Sequence, residues 1–233
     1  MPTVLITGAS RGFGRALFDV YSQRGWITFP LVRGSSVAAQ LQAREDPKCH
    51  PIVADVSTGD AEREIVRVLE QYTGALDVLI NNAGNIRKHR GLHNTSIEDL
   101  EHLFRVHCVG AFRCTKSALP FLIQSERPVV VNISSRWGSI SRIVSGRGGE
   151  IYSYHIAKCA QNMLTVCLDQ ELRKAGIRVV AVHPGRLKTE VGAADADTEP
   201  QEAARVLADW IERVDERTAC GLYDLMGKEY IEW

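Results

Sequence analysis

Tyr154 and Lys158 stand four residues apart in the run Tyr154-His155-Ile156-Ala157-Lys158, inside a helical pattern spanning 154–175. That spacing puts both side chains on one helix face. A phenol can give a proton to a developing alkoxide, but with a pKa near 10 it is a sluggish base for the reverse reaction. An ammonium on the same face would stabilise the tyrosinate and lower the phenol's pKa. Taken alone, the pair is equally an accidental neighbour pair on a solvated helix. Tyr152 competes for the same role, but the residue four positions on is Ile156, so a substrate-pocket or packing role suits it better.

A second group lies near the N-terminus. Thr7-Gly8-Ala9-Ser10-Arg11-Gly12-Phe13-Gly14 follows an apolar strand and opens a helix. Glycines let a backbone turn tightly and approach a pyrophosphate without a Cβ in the way. The helix that follows offers free N–H groups and partial positive charge to the anion. The second strand ends in Val32-Arg33-Gly34-Ser35, without the acid that would bind ribose hydroxyls. Arg11 and Arg33 suit a 2′-phosphate by charge and fork geometry, although a surface position explains Arg33 by itself. The reading favours NADP(H).

The elements that must position these groups alternate along the chain. Short apolar runs rich in Val and Ile occupy 3–7, 27–32, 51–53, 78–81, 129–133 and 177–183, with a seventh at 221–224. They lack two-residue alternation, as strands buried on both faces do. Helical patterns fill 14–24, 58–72, 97–124, 154–175 and 201–213. The expected fold is α/β: a single Rossmann-type doubly wound domain over 1–233, with a mostly parallel sheet of about seven strands flanked by helices. Pro30 fits poorly inside a central strand and predicts a shortening or a bulge there. The least regular stretches, 86–95, 137–151 and 191–200, are candidate ligand covers or plain surface connections.

Composition narrows the function classes. Twenty-eight Lys and Arg balance 28 Asp and Glu, and no basic patch or motif points to nucleic acid. No apolar stretch is long enough for a bilayer, and Met1-Pro2-Thr3 enters an apolar run without a leader pattern. Cys49, Cys108, Cys114, Cys159, Cys167 and Cys220 form no C-x-x-C pair and no zinc-ligand spacing. Reduced thiols in a cytoplasmic protein without a metal are the simplest expectation.

The spacing T-G-x-x-x-G-x-G resembles the classical short-chain dehydrogenases/reductases, and the resemblance runs almost the full length. Asp55-Val56 is similar to the family's adenine-contacting pair, and Asn81-Asn82-Ala83-Gly84 to its N-N-A-G motif. Ile133-Ser134-Ser135-Arg136-Trp137-Gly138 is similar to the segment carrying the catalytic serine, which its distance to the glycine places at Ser135. Tyr154 to Lys158 matches Y-x-x-x-K, and Pro184-Gly185 with Leu187 and Thr189 matches the nicotinamide side. The resemblance implies a catalytic Ser135, Tyr154 and Lys158, with Lys158 also on the nicotinamide ribose. It implies cofactor contacts at Gly8, Ser10, Arg11, Gly12, Phe13, Gly14, Arg33, Asp55, Val56, Asn82, Ala83 and Gly84 as well. Ser135-Arg136-Trp137-Gly138-Ser139-Ile140 and the ending Gly221-Leu222-Tyr223-Asp224 to Trp233 look like the C-factor/Sniffer group of carbonyl-reductase-like members. A small-molecule carbonyl or alcohol substrate follows, and pairing through the long helices suggests a homodimer or homotetramer.

Two departures bear on activity. Where many members carry an asparagine supporting a water relay, Val106-His107-Cys108-Val109-Gly110 has His107. A histidine can donate or accept as well, so His107 either preserves the relay or weakens catalysis and simply packs. The interval from Ser135 to Tyr154 is longer than usual and includes Ser145-Gly146-Arg147-Gly148-Gly149, which either shapes the pocket or loops over the surface. Arg136, Arg142, Arg147 and Arg186 are candidates to meet a polar or anionic substrate. Two functions therefore stand: an NADP(H)-dependent reductase or dehydrogenase, and an NADP(H)-binding regulatory or signalling protein with little turnover.

Overall fold

The computed structural model describes residues 1–43, 46–147, 149–190, 192 and 195–233. Strand β1 (Thr3–Thr7) shows why the apolar runs do not alternate. Its Val4 and Ile6 enter one core while Leu5 enters another, all three without solvent contact. The same division holds in β4 (Val78–Asn81) and β5 (Val129–Ile133). There Ile80 and Val131 face the first core, and Leu79 and Val130 the second. Each face is thus buried under helices, which a parallel sheet requires.

The sheet also contains β2 (Ile27–Val32), β3 (Ile52–Val53), β6 (Arg178–His183), β7 (Leu222–Asp224) and β8 (Glu229–Ile231), in the order β3-β2-β1-β4-β5-β6-β7-β8. All neighbours are parallel except β7 and β8. Helices α1 (Gly12–Gln23), α2 (Ser35–Gln42) and α8 (Pro200–Ile211) cover one face. The other is covered by α3 (Asp60–Tyr72), α5 (Gly110–Leu122) and α7 (Tyr152–Leu172). Shorter α4 (Ile97–Phe104) and α6 (Ile140–Val144) lie in the connections. The strand order reverses between β1 and β4. In a doubly wound sheet that reversal opens a crevice at the carboxyl ends of the strands. The turns after β1, β4, β5 and β6 all emerge there.

Four details differ from the sequence expectation. An eighth, antiparallel strand closes the edge through Glu229–Ile231, a segment too short and polar to read as a strand. Ser35–Gln42 forms an additional helix. The single helix expected over 97–124 is α4 and α5 joined by a π-helical turn, Arg105–Val109.

Finally, β2 runs unbroken through Pro30, which pairs with Ile6. In β2 the Thr28 N–H donates to Lys48 O, and Val32 O accepts from Ala54 N–H. The even-numbered residues therefore turn their polar groups to the β3 side. The β3 ladder begins only at Leu31–Ile52, so the missing Pro30 donor falls in a gap between pairings.

Candidate active site

The turn after β1 is built for close backbone approach. Gly8 and Gly12 have φ of 71° and 55°, conformations costly for any residue with a Cβ. At Gly14 a Cβ would lie 2.3 Å from Gly8 O and 2.4 Å from Asn82 Nδ2. Asn82 holds the turn from β4, its Nδ2 donating to Thr7 O at 2.9 Å and Gly8 O at 3.3 Å. Thr7 Oγ1 accepts from the N–H groups of Asn82 and Ala83, both at 2.9 Å. Arg11, at the head of α1, gives no side-chain cap, and no acid stands in the helix's first turn. An uncapped N-terminus above a glycine turn fits a pyrophosphate.

Around this turn the structure gathers the other expected cofactor residues. Thr189, beyond Pro184-Gly185 and Leu187, lies against Gly12, where a Cβ would meet its Cγ2 at 3.4 Å. Arg11 forms an exposed ion pair with Glu190 from the same loop. Arg33 lies 4.0 Å from Asp55. Burial works to raise the Asp55 carboxyl, but hydrogen bonds from the Ser57 hydroxyl and N–H, helped by Arg33, hold it below its usual range. Both arginines thus stand at the cleft with a carboxylate neighbour. Ser10 and Phe13 belong to the same turn, Phe13 with its ring in the core. Val56 packs under Gly110.

At the ends of β5 and α7 sit the proton-handling groups. Ser135 stands near enough to Tyr154 to act on its phenol. Ser135 Oγ also accepts from Trp137 N–H at 3.2 Å, and the Trp137 ring stands edge-on to Tyr154 at 6.1 Å. Lys158 is buried, its Nζ donating to Ile133 O at 2.6 Å and Gln161 Oε1 at 2.9 Å. Burial pushes the Tyr154 phenol up to about 12, and the opposing influence is Ser135, not Lys158. Lys158 itself is pulled down to about 7 by burial.

His107 projects inward from the π-helical turn. Its ring is 5.6 Å from Tyr154, edge-on, and fills the space above Gly84, where a Cβ would meet Cε1 at 2.3 Å. Nε2 faces Asn85 O at 2.8 Å. A carbonyl only accepts, so Nε2 carries the proton and Nδ1 is left as an acceptor, buried and without a partner. Burial first, then Lys158, hold the ring well below the usual histidine range, so it is neutral.

Several positioning residues meet in pairs that a linear reading does not show. Asn81 Nδ2 donates to Asn132 Oδ1 at 2.9 Å and Thr115 Oγ1 at 3.2 Å. Asn132 Nδ2 donates to Thr165 Oγ1 at 2.9 Å, and Thr165 Oγ1 to Gln161 O at 2.9 Å. Asn162 ties the serine segment to α7: its Oδ1 accepts from Ser134 Oγ at 2.5 Å and its Nδ2 donates to Gly138 O at 3.0 Å. Of the loop arginines, Arg186 is paired with Asp195 and Arg147 is exposed. Gly148 of the glycine-rich run lies outside the described residues.

Comparison with known proteins agrees with this geometry. A family model described as short chain dehydrogenase matches residues 2–200. The C-signal protein of Myxococcus xanthus is 30% identical over 161 residues, 69% of this chain and 95% of that protein. The NADPH-bound carbonyl reductase from chicken fatty liver superposes with a TM-score of 0.91 at 25% identity, covering 100% of this chain and 99% of that one. The carbonyl reductase Sniffer of D. melanogaster gives 0.92 at 25% identity, covering both chains fully.

Asn162→Ala leaves Ser134 Oγ and Gly138 O buried without partners, a cost of about 1–3 kcal/mol. At about 2–4 °C per kcal/mol for a chain of this size, a thermal melt should show Tm lowered by several degrees. An unchanged Tm would mean that Asn162 does not hold the serine segment.

Proposed function

The chain belongs to the short chain dehydrogenase family, and on that premise we propose that residues 1–233 form one NADP(H)-dependent carbonyl reductase domain. The observation that carries the reading is the gathering of Ser135, Tyr154 and a buried Lys158 at the strand ends that also bear the glycine turn. When bound, the nicotinamide supplies or takes the hydride. Arg11 and Arg33, without an acid in the ribose position, favour the 2′-phosphate form. The chicken carbonyl reductase, described as NADPH-bound, supports the same cofactor.

In this reading Ser135 and Tyr154 converge on the substrate oxygen. As carbonyl becomes alkoxide, Ser135 donates a hydrogen bond to it and Tyr154 gives up its proton. A phenol held near 12 stays protonated at neutral pH, which suits a proton donor. Lys158 anchors to Ile133 O and turns toward the ring, its Nζ 5.8 Å from the Tyr154 centroid. His107 Nδ1, the acceptor without a partner, takes over the hydrogen-bonding duty of a relay asparagine.

A second reading, an NADP(H)-binding regulatory protein with little turnover, is favoured by one observation. Lys158 Nζ is bound to Ile133 O and Gln161 rather than to the phenol. The similarity to C-signal supports the same alternative. We place the protein in the cytoplasm on its cysteine usage; no helix among the described residues is long and apolar enough to cross a membrane. Pairing into a homodimer or homotetramer is supported by Phe104 and Phe112 on α4 and α5 and by Ile156 and Met163 on α7, all exposed. Sedimentation should then give a mass of two or four chains; a single-chain mass sinks that part of the proposal.

NADPH oxidation with a panel of aldehydes, ketones and quinones tests the main reading. Tyr154→Phe should lose about 10²–10⁴-fold in kcat while NADPH binding persists. Equal turnover by this variant, or none by the unmodified protein, favours the regulatory reading. His107→Asn should stay within a few-fold of the parent if the relay is intact. A large gain would show that His107 impairs the site.

A further inference from the structure

The hairpin formed by β7 and β8 touches two sides of the site at once. Its turn, 225–228, lies against the end of β6. Leu225 N–H donates to His183 O at 3.1 Å, just before Pro184-Gly185. Met226 then covers Gly185 so closely that a Cβ there would meet Met226 Cγ at 2.7 Å. The turn itself is closed by Asp224 Oδ1, which accepts from Gly227 N–H at 3.0 Å. The family resemblance puts Pro184-Gly185 on the nicotinamide side.

Beyond β8 the same chain holds the serine segment. Ser139 Oγ donates to Glu232 O at 2.6 Å, and Ser141 N–H donates to Trp233 O at 3.0 Å. Ser139 has no solvent contact, and its Oγ also caps α6 by accepting from Arg142 N–H at 3.2 Å. Trp233 is anchored in turn on Ala181, Leu222 and Ile231. From Ser139 back to the reacting serine the chain is short and bonded throughout. Ser139 N–H donates to Arg136 O at 3.3 Å, Gly138 N–H to Ser135 O at 2.8 Å, and Trp137 N–H to Ser135 Oγ at 3.2 Å. Gly138 rests on α7, where a Cβ would lie 2.8 Å from Lys158 C.

Neither the tie at Ser139 nor the cover at Met226 takes part in moving a proton or a hydride. They are joined by a strand pair of three residues a side, from Leu222–Ile231 to Asp224–Glu229. A hairpin this short is not stable by itself, so its place depends on what holds its two ends. A shift at one end is carried along a hydrogen-bonded ladder to the other.

We propose that the hairpin 222–233 braces the site, holding the serine segment and the Pro184-Gly185 segment at a fixed separation, with Ser139 and Met226 as its positioning residues. The proposal rests on the reductase reading. It adds to that reading what sets the gap between the carbonyl and the nicotinamide.

Crossed effects test it. NADPH binding is followed by the cofactor's fluorescence, and kinetics are run with 4-formylbenzoate as the carbonyl probe. Ser139→Ala removes the tie at the serine end, yet should weaken NADPH binding by about threefold or more, the low end of coupling within one bonded network. Met226→Ala opens the Gly185 end, yet should raise KM for 4-formylbenzoate by a similar factor. In the double variant the two losses should combine to less than their product, because a hairpin freed at one end has less to lose at the other. Met226→Leu, which keeps most of the volume, should behave like the parent.

Effects confined to each variant's own end, or a double variant equal to the product, overturn the proposal. So does a lowered Tm with both constants unchanged. A less-than-multiplicative loss of NADPH affinity, in a protein that turns over no carbonyl, would keep the brace and reject the reductase. Full turnover with uncrossed effects would do the reverse.

Discussion

Asn81 donates to Asn132 across the middle of the sheet, and much of the site's geometry depends on that hydrogen bond. It belongs to a buried chain that leaves α5 at Thr115, crosses β4 and β5, and enters α7 at Thr165. From there it continues through Gln161 to Lys158 and back to β5 at Ile133 O. Every member is buried, so each partner lost would leave a polar group without water to replace it. The chain therefore fixes the height of α7 along the sheet. That in turn sets where Tyr154 and Lys158 stand relative to Ser135. The apolar cores hold helices to sheet without direction; these hydrogen bonds supply the direction.

The same burial that makes the network rigid sets the chemistry of its end groups. Removing Tyr154 and Lys158 from water disfavours the charged form of each, raising one and lowering the other. The two shifts move the pair toward neutral phenol and neutral amine. A neutral phenol with a serine hydroxyl beside it is able to donate a proton. His107 obeys the same rule: its neutral ring keeps one nitrogen as a donor to Asn85 O and the other as an acceptor.

The parts of this site that were legible in the sequence are the local ones. The glycine turn announces itself because its residues are contiguous and sit at a strand–helix junction. Tyr154 and Lys158 are legible because helical spacing alone brings them together. The parallel sheet was legible in Val- and Ile-rich runs without alternation. The asparagine chain was not, since Asn81 and Asn132 meet only because β4 and β5 are neighbours, 51 residues apart in the chain. The π-helical turn at His107 was hidden inside an uninterrupted helical pattern. Spacing shows the proximity of Lys158 to Tyr154, but not their burial, which distant segments contribute. Pro30 was read as a break because the sequence does not show which side of β2 has a gap in its ladder.

The most direct measurement of the central claim is isotopic. The protein is supplied with NADPH deuterated at the transferable position, and the alcohol formed from 4-formylbenzoate is analysed by mass spectrometry. The account predicts an alcohol carrying deuterium on the former carbonyl carbon, delivered from one face of the nicotinamide only. An alcohol free of deuterium from either labelled face, or no alcohol at all, would contradict it.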